Sequence, residues 1–272
     1  PLTDDVNGYR QEGFARFDRN VHRGRRLSAS QAYLHPVRKR KNLTVHTLSM
    51  VTGLRTSGKR VTGVDYLRGY KLKRSVEAGE VILCGGVINS AQLLMLSGIG
   101  NGAELKGHGI DVVHDLPGVG ENFRDHIASR ISWKIRVSGI SYNDKARGIN
   151  LFGQIIKYAI TGSGFLSLPS TPIVAFLKTR SELETPDIQL SFIPYAVENP
   201  KRRKLYNFPG MTLICYQLRP ESLGSIHIRS RDPNEHPSIR FNFLHDPIDI
   251  QTMIEGVKIM RQIVEAKPMD PY

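Results

Sequence analysis

The 272-residue sequence predicts a fold that combines α/β and α+β features, and three observations carry this prediction. An apolar run, Val81–Cys84, leads through two glycines into a mostly apolar stretch, which is typical of a buried strand, a tight turn and a helix. Apolar runs between residues 127 and 222 are rich in β-branched and aromatic residues, as in a large antiparallel sheet. A short strand pair and a helix end the chain. We therefore expect a mixed unit over 1–126, a sheet unit over 127–222, and a return to the first unit over 223–272.

Local patterns predict the elements that precede the apolar run. An apolar stripe indicates a helix over Ser28–Leu34, and alternating side chains indicate a strand over Leu43–Leu54. A glycine between two further alternating runs indicates a hairpin made of Arg60–Tyr66 and Tyr70–Val76.

The same patterns predict the elements that follow the run. Helical spacing indicates a helix over Leu151–Ile160, and Asp249 is expected to cap a last helix that runs to Glu265. Alternation and β-branched content predict the remaining strands at Ile127–Val137, Val174–Lys178, Ile188–Ile193, Thr212–Leu218, Ile226–Arg229 and Ile239–Phe243.

The turn after the apolar run has the features of a ligand-binding turn. Asn89 and Ser90 are good helix N-caps, and Gly98 is a typical helix stop. Glycines let another molecule approach the backbone, and a helix start offers N–H groups to a phosphate. An ordinary crossover without a ligand would show the same spacing, so the residues alone leave both interpretations open.

The segment from Gly86 to Gly100 resembles the second signature of the glucose–methanol–choline oxidoreductases, a family of FAD-dependent enzymes that oxidise alcohols. Val87 stands where that pattern has a small residue, and Ala91 where it has proline. The matching positions are Gly86, Ser90, Leu94, Met95, Ser97, Gly98, Ile99 and Gly100.

Other segments carry the same resemblance. Asp115–His126 is similar to the family's stretch Leu-Pro-Gly-Val-Gly-x-Asn-Leu-x-Asp-His, and Gly24–Pro36 is similar to one of its helices. A weaker likeness runs through Gly224–Ser230 to the end of the chain. The resemblance is strongest to choline and aliphatic-alcohol dehydrogenases. It implies that 1–126 is part of an FAD-binding domain, that 127–222 is the substrate-binding antiparallel sheet, and that 223–272 returns to the FAD-binding domain.

The resemblance also implies a cofactor, a reaction and a set of cofactor-binding residues. The cofactor is FAD, and the reaction transfers hydride from the CH–OH group of a primary alcohol, either a neutral alcohol or choline, to the flavin. The cofactor-binding residues are Val51, Gly85, Gly86 and Ser90. Without the resemblance, Val51 would be interpreted as a plain strand residue. The catalytic histidine of the family has no counterpart here, so no catalytic residue is assigned.

A phosphate-binding turn of the form Gly-x-Gly-x-x-Gly is missing where the family has it, near the N-terminus. Gly98–Ala103 fits the related pattern Gly-x-Gly-x-x-Ala, but it follows a helix rather than a strand. We therefore interpret it as a match that does not bind a nucleotide. We therefore expect an internal piece of a longer enzyme that is inactive by itself. The alternative is a catalytically dead, truncated homologue that binds partners through its basic surface.

The loop from Tyr195 to Phe208 joins two predicted strands of the sheet and is expected to overhang the substrate. Tyr195 and Glu198 are the candidate substrate-side residues, since Glu198 is the loop's one carboxylate. A quaternary ammonium is usually held by aromatic faces and a carboxylate, whereas this chain is cationic. We therefore rank a neutral primary alcohol above choline. The alternative is a solvated surface loop.

The chain is strongly basic, with 38 Lys and Arg against 25 Asp and Glu, a formal net charge of +13. The cations cluster at Arg16–Arg26, Arg38–Lys41 and Lys201–Lys204. No aromatic ladder or Cys/His finger accompanies them, so we expect no specific nucleic-acid partner. An anionic membrane surface is a candidate partner, and the expected location is the cytoplasm or the membrane periphery. The sequence does not identify the electron acceptor.

The two cysteines form no CxxC pair and have no metal-binding spacing, so we expect no zinc site. Cys84 is expected to be a small buried hydrophobe. Asp125 and His126 are interpreted as the end of a loop rather than as an acid–base pair. His22 is expected at the surface, and His227 is expected to face solvent from a strand.

Overall fold

A computed structural model describes residues 2–202 and 204–272. Arg203, a member of the basic cluster Lys201–Lys204, lies outside the described residues. The chain forms two compact units. The first unit contains the residues up to Lys39 together with His126–Pro220 and Asp246–Tyr272. The second contains Arg40–Asp125 and Glu221–His245.

Sixteen strands and five α-helices make up the regular structure of the described residues. The strands are β1 Gly13–Arg16, β2 Val21–His22, β3 Arg25–Arg26, β4 Ser49–Ser57, β5 Arg60–Arg68, β6 Leu72–Glu77, β7 Ile99–Gly100, β8 His114–Asp115, β9 Ala128–Lys134, β10 Ile173–Leu177, β11 Ile188–Ile193, β12 Val197–Asn199, β13 Lys204–Leu205, β14 Gly210–Gln217, β15 Ser225–His227 and β16 Ser238–Arg240. The helices are α1 Gly86–Leu96, α2 Gly102–Gly107, α3 Tyr142–Lys145, α4 Gly148–Thr161 and α5 Pro247–Val264. Single helical turns lie at Ser30–Leu34, His35–Val37, Phe165–Ser167 and Lys267–Met269.

A five-stranded antiparallel sheet in the order β1-β10-β11-β14-β9 is the centre of the first unit. Because side chains alternate along each strand, the sheet has two chemically different faces. One face buries Leu190, Leu213 and Cys215 against Met260 of α5. The opposite face is mixed, with the polar residues Gln189 and Ser191 beside apolar ones such as Val174 and Phe176.

Helix α5 begins earlier than predicted. Asp246, not Asp249, is the N-cap, and its carboxylate accepts the N–H of Ile248 at 2.9 Å. Pro247 accounts for this start, because its fixed φ and missing N–H suit the first helical position. Asp249 is buried instead, and its carboxylate accepts a 2.6 Å hydrogen bond from the Gln217 side chain.

Three strands, β4, β5 and β6, form an antiparallel sheet in the second unit. Helix α1 packs on β4. Met95, Leu105 and Ile228 form the core beneath α1 and α2. The predicted hairpin is therefore part of a longer meander.

The predicted buried strand at Val81–Cys84 is wrong. It pairs with no strand in the part of the chain that the structure describes, and the Ile82 side chain is 78% exposed. An apolar run becomes a strand only where a neighbouring strand satisfies its backbone hydrogen bonds. The expectation that Cys84 is buried fails for the same reason, because its thiol is exposed.

The predicted capping of α1 is also wrong, although its end is confirmed. Gly85 is the N-cap, so Asn89 and Ser90 lie inside the helix. At the other end, Gly98 adopts φ +79° directly after the last turn. A glycine suits this stop, because a Cβ there would lie 2.3 Å from the Asp111 carbonyl oxygen.

The compact units are composed differently from the predicted segments. The residues up to Lys39 join the sheet unit, because β1 pairs with β10. Helix α5 also joins it, because its apolar side packs on β14 and β11. The assignment of 1–126 and 223–272 to an FAD-binding domain stays a prediction. Among the described residues, none of the helices combines the length and apolarity that a bilayer crossing requires.

Candidate functional site

Three of the four residues expected to bind the cofactor line one cavity in the second unit. Val51, Gly85 and Ser90 surround a space of about 480 Å³, together with Cys84 and Leu93. Gly86 directly follows Gly85 as the first residue of α1. The predicted residues therefore lie close together, although 34 positions separate Val51 from Gly85 in the sequence.

The start of α1 lacks a side-chain cap among the described residues. The first N–H groups of a helix have no partner within the helix, so they are available to an anion. Gly86 has φ +80°, and a Cβ placed on it would meet nothing within 4 Å. Donors and open space at one helix start fit an anionic part of a cofactor.

Strand β4 is irregular where it reaches this cavity. Its pairing with β5 shifts register between Val51 and Gly53, and the hydroxyl of Thr52 donates to the Asp65 carbonyl oxygen at 3.3 Å. The Val51 side chain is 40% exposed. A bulge commonly turns a strand edge toward a site, but sequence alternation alone does not reveal it.

The backbone N–H groups at the start of α2 are already hydrogen-bonded to side chains of the protein. As expected, Gly98–Ala103 follows a helix, α1, and the two-residue strand β7 lies inside the motif rather than before it. Asn101 caps α2 by accepting two backbone N–H groups, and the Asp115 carboxylate accepts the N–H of Gly102 at 2.9 Å. This turn offers an anion no unoccupied donors of the kind found at α1.

A second cavity, of about 670 Å³, lies on the face of the large sheet that carries Gln189 and Ser191. Gln189, Ser191, Tyr216 and His126 line it from the sheet side. The His126 ring lies 6.5 Å from that of Tyr216, between ring centroids. Sequence analysis did not assign these residues to the site. The signal was present, because polar residues alternate with buried apolar ones over residues 188–191.

Tyr195 lies beside a third cavity, of about 430 Å³, in the same unit. Its ring stacks on that of Tyr142 at 6.3 Å and 20°, and Tyr142 also contacts Phe165, with centroids 5.4 Å apart. Arg130 is the one charged residue among the described residues that line this cavity. Burial raises the pKa of Tyr142, and the nearby charge of Arg19 partly opposes that shift.

Two family models match this chain, both described as GMC oxidoreductase. The first covers residues 1–128, which include the glycine turn, and the second covers residues 220–271. The chain belongs to the GMC oxidoreductase family. The resemblance to the glucose–methanol–choline enzymes is thus confirmed, and FAD is the cofactor of this fold.

Curated GMC relatives are longer than this chain. The oxygen-dependent choline dehydrogenase of Staphylococcus aureus (strain Newman) is 41% identical over 271 residues, which are 99% of this chain and 47% of the relative. The chain thus spans about half the length of the curated relatives it matches.

Solved GMC-type structures share the fold. Formate oxidase of Aspergillus oryzae RIB40 superimposes with a TM-score of 0.82 at 24% identity, over 92% of this chain and 48% of that one. Pyridoxine 4-oxidase from Mesorbium loti gives a TM-score of 0.82 at 23% identity, over 100% of this chain and 49% of that one. The predicted mixture of helices and antiparallel sheets is confirmed.

Glu198, the other predicted substrate-side residue of this GMC chain, has a cationic partner. It lies on the β12–β13 hairpin, and its carboxylate is 2.7 Å from the ammonium of Lys204. Both side chains are substantially exposed. The negative charge of Glu198 is therefore already paired.

Contrary to expectation, His227 does not face solvent. Its Nδ1 lies 3.0 Å from Glu104 Oε2, and its Nε2 lies 3.1 Å from Glu121 Oε1. Helix α2 supplies the first carboxylate and the loop after β8 supplies the second, so tertiary contacts override the exposed side of strand β15. His22 is exposed, as predicted. Within the described residues, no group of three His, Cys, Asp or Glu side chains could hold a metal ion.

Proposed function

We propose that the complete gene product oxidises the CH–OH group of a primary alcohol with FAD. One observation carries the proposal: Val51, Gly85 and Ser90 line one cavity at an uncapped helix start in a chain of this family. The backbone N–H groups at the start of α1 bind an anionic part of the cofactor. FAD, when bound, accepts the hydride.

Polar side chains of the large sheet orient the alcohol in this proposal. Gln189 and Ser191 present amide and hydroxyl groups to the 670 Å³ cavity, and both kinds of group can donate to or accept from an alcohol oxygen. Tyr195, with its stacked partner Tyr142, supplies an apolar wall beside the smaller cavity. Each group positions the substrate, and none is assigned as the base.

A neutral primary alcohol is the substrate that we rank first. Arg19 and Arg26 line the larger cavity, where Asp18 is the one described carboxylate, and Arg130 lines the smaller one. A quaternary ammonium would meet these cations without a carboxylate to offset all of them. Because the Glu198 carboxylate is paired with Lys204, it attracts a cationic substrate less strongly.

Choline is the second candidate, and two observations favour it. The Staphylococcus aureus relative at 41% identity is a choline dehydrogenase. In addition, the rings of Tyr142, Phe165 and Tyr195 line one cavity, and aromatic faces attract quaternary ammonium groups.

Steady-state kinetics of the complete gene product distinguish the two substrates. We expect kcat/KM to be at least about tenfold higher for a medium-chain primary alcohol than for choline, across a series of salt concentrations. Glu198→Gln should change either value less than about twofold, because Lys204 already neutralises that carboxylate. Glu182→Gln, which also removes a surface carboxylate paired with a cation, is the matched control.

Two outcomes would contradict parts of this proposal. A higher kcat/KM for choline that is lost in Glu198→Gln would reverse the substrate ranking. A protein that contains FAD but is reduced by neither substrate would overturn the oxidation of a primary alcohol and favour the inactive, basic-surface homologue.

A further inference from the structure

Helix α4 presents an uncovered apolar face. None of its 14 residues is buried, and the side chains of Ile149 and Ile160 are 81% and 78% exposed. Phe152 and Ile156 are also exposed, and their spacing of three and four residues places all four on one side of the helix.

Only a narrow strip of α4 faces the protein. Leu151 and Tyr158, seven residues apart, lie on that strip and are partly buried. The Tyr158 hydroxyl donates to the carbonyl oxygen of Gly24 at 2.9 Å. Gln154, between Leu151 and Tyr158 on the same side of the helix, is partly buried as well. One flank of the helix is polar and consists of Asn150, Lys157 and Thr161.

Exposed cations adjoin this apolar face. The β2–β3 hairpin meets the carboxyl end of α4 so closely that a Cβ on Gly24 would lie 2.0 Å from the Gly162 carbonyl oxygen. The hairpin's arginines, Arg23, Arg25 and Arg26, are all exposed. Asp144 is the one acidic residue in the sequence from 141 to 161, and its carboxylate accepts the N–H of Gly139.

We propose that α4 and the β2–β3 hairpin form a docking surface for an anionic phospholipid bilayer. Helices that lie in a membrane interface combine a broad apolar face with flanking cations. The arginines of the hairpin would meet anionic headgroups while the isoleucines and Phe152 enter the acyl boundary. A second copy of this chain is a poorer occupant, because it would bring another cationic hairpin to the same face.

Vesicle co-sedimentation of the complete gene product tests this proposal. The neutral vesicles contain phosphatidylcholine alone. The anionic vesicles contain phosphatidylcholine with about 30% phosphatidylglycerol, which makes their surface strongly anionic. We expect binding to the anionic vesicles that is at least about tenfold tighter than to the neutral ones, and that weakens as salt is raised.

Matched variants distinguish binding through this face from nonspecific hydrophobic adsorption and from nonspecific electrostatic attraction to the vesicles. Ile149→Ser/Ile160→Ser should weaken binding at least about tenfold, since it removes apolar area that enters the bilayer. Leu2→Ser/Leu48→Ser, with 88% and 66% exposure, removes similar surface elsewhere and should leave binding unchanged. Arg23→Glu/Arg25→Glu should likewise weaken binding, whereas Lys73→Glu/Arg74→Glu makes the same charge change on the exposed strand β6 and should have a smaller effect.

Three results would overturn the proposal. The first is a protein that stays in solution with both kinds of vesicle, as expected if another part of the gene product covers α4. The second is equal binding by the α4 variant and its control. The third is a dimer in light scattering that becomes a monomer in Ile149→Ser/Ile160→Ser, which would assign the face to a second copy.

Discussion

Gly85 and Gly86 are adjacent, but they need to be glycine for different reasons. Gly85 has an ordinary helical φ of −74°, and a Cβ on it would lie 3.2 Å from Asn89 Cβ. Gly86 has φ +80° and open space on its Cβ side. The first glycine is therefore limited by its neighbours, and the second by backbone conformation and by whatever occupies the space beside it.

The two thiols of the chain should differ sharply in reactivity. Cys84 is exposed and lines the 480 Å³ cavity, whereas Cys215 is buried beneath α5. Burial, assisted by the nearby charge of Asp187, raises the pKa of Cys215 to about 12, so its nucleophilic thiolate is scarce. A thiol reagent at pH 8 should rapidly label one thiol per chain, and Cys84→Ser should abolish this rapid labelling. Rapid labelling of both thiols in the folded chain would contradict the buried position of Cys215.

The same pKa shift has a predictable sign for stability. Between the ordinary value of 9.0 and about 12, the unfolded chain loses the Cys215 proton and the folded chain keeps it. The unfolded state then binds fewer protons, so the contribution of Cys215 to the free energy of unfolding decreases as the pH rises through this range.

Some site residues could be predicted from the sequence, because they belong to one local motif. Gly85, Gly86 and Ser90 fall within one turn and its helix, so their proximity follows from chain geometry. The Tyr142–Tyr195 stack and the contact of His227 with Glu104 join residues 53 and 123 positions apart. Such contacts depend on how elements pack, and no local pattern encodes them.

Packing between α5 and the large sheet depends on one glycine. A Cβ on Gly256 would lie 2.4 Å from Cys215 Sγ, while its next neighbours, Cys215 Cβ and Ile188 Cδ1, would be at an ordinary 3.7 Å. Gly256→Ala should therefore lower the free energy of unfolding by about 1–3 kcal/mol through overpacking. Chemical denaturation of the purified chain measures this change.

A double-mutant cycle isolates that contact. Cys215→Ala removes the clashing sulfur, so adding Gly256→Ala to it should cost much less than it does in the parent chain. Equal costs in both backgrounds would show that the helix and the sheet do not meet at this point.

Individual elements were predictable where their own pattern suffices. The strand at Ile188–Ile193 is confirmed to the residue, because its alternation has a buried face to match. The apolar run at Val81–Cys84 failed as a strand, because strand formation needs a hydrogen-bonded neighbour that no local pattern supplies. The start of α5 was misplaced by the stronger preference of Pro247 for the first helical position.

At the scale of the whole molecule, chain order and spatial grouping differ. The first unit draws together the residues up to Lys39, the sheet segment and α5, which are far apart in sequence. The mixed fold class and the family follow from motifs and from the overall order of elements. The composition of each unit does not, because it is decided by pairings such as that of β1 with β10.

The central claim is that the turn at Gly86 belongs to an FAD site, and flavin content after Gly86→Leu tests it most directly. The matched control is Gly58→Leu, since Gly58 also has positive φ and open space, at +57° in the β4–β5 turn. Both changes should cost about 1–2 kcal/mol of folding free energy, because a side chain is placed in a left-handed conformation. In the complete gene product, Gly58→Leu should keep stoichiometric FAD by absorbance, and Gly86→Leu should lose it. A folded Gly86→Leu protein with the flavin content of the control would contradict the assignment of this turn to the cofactor.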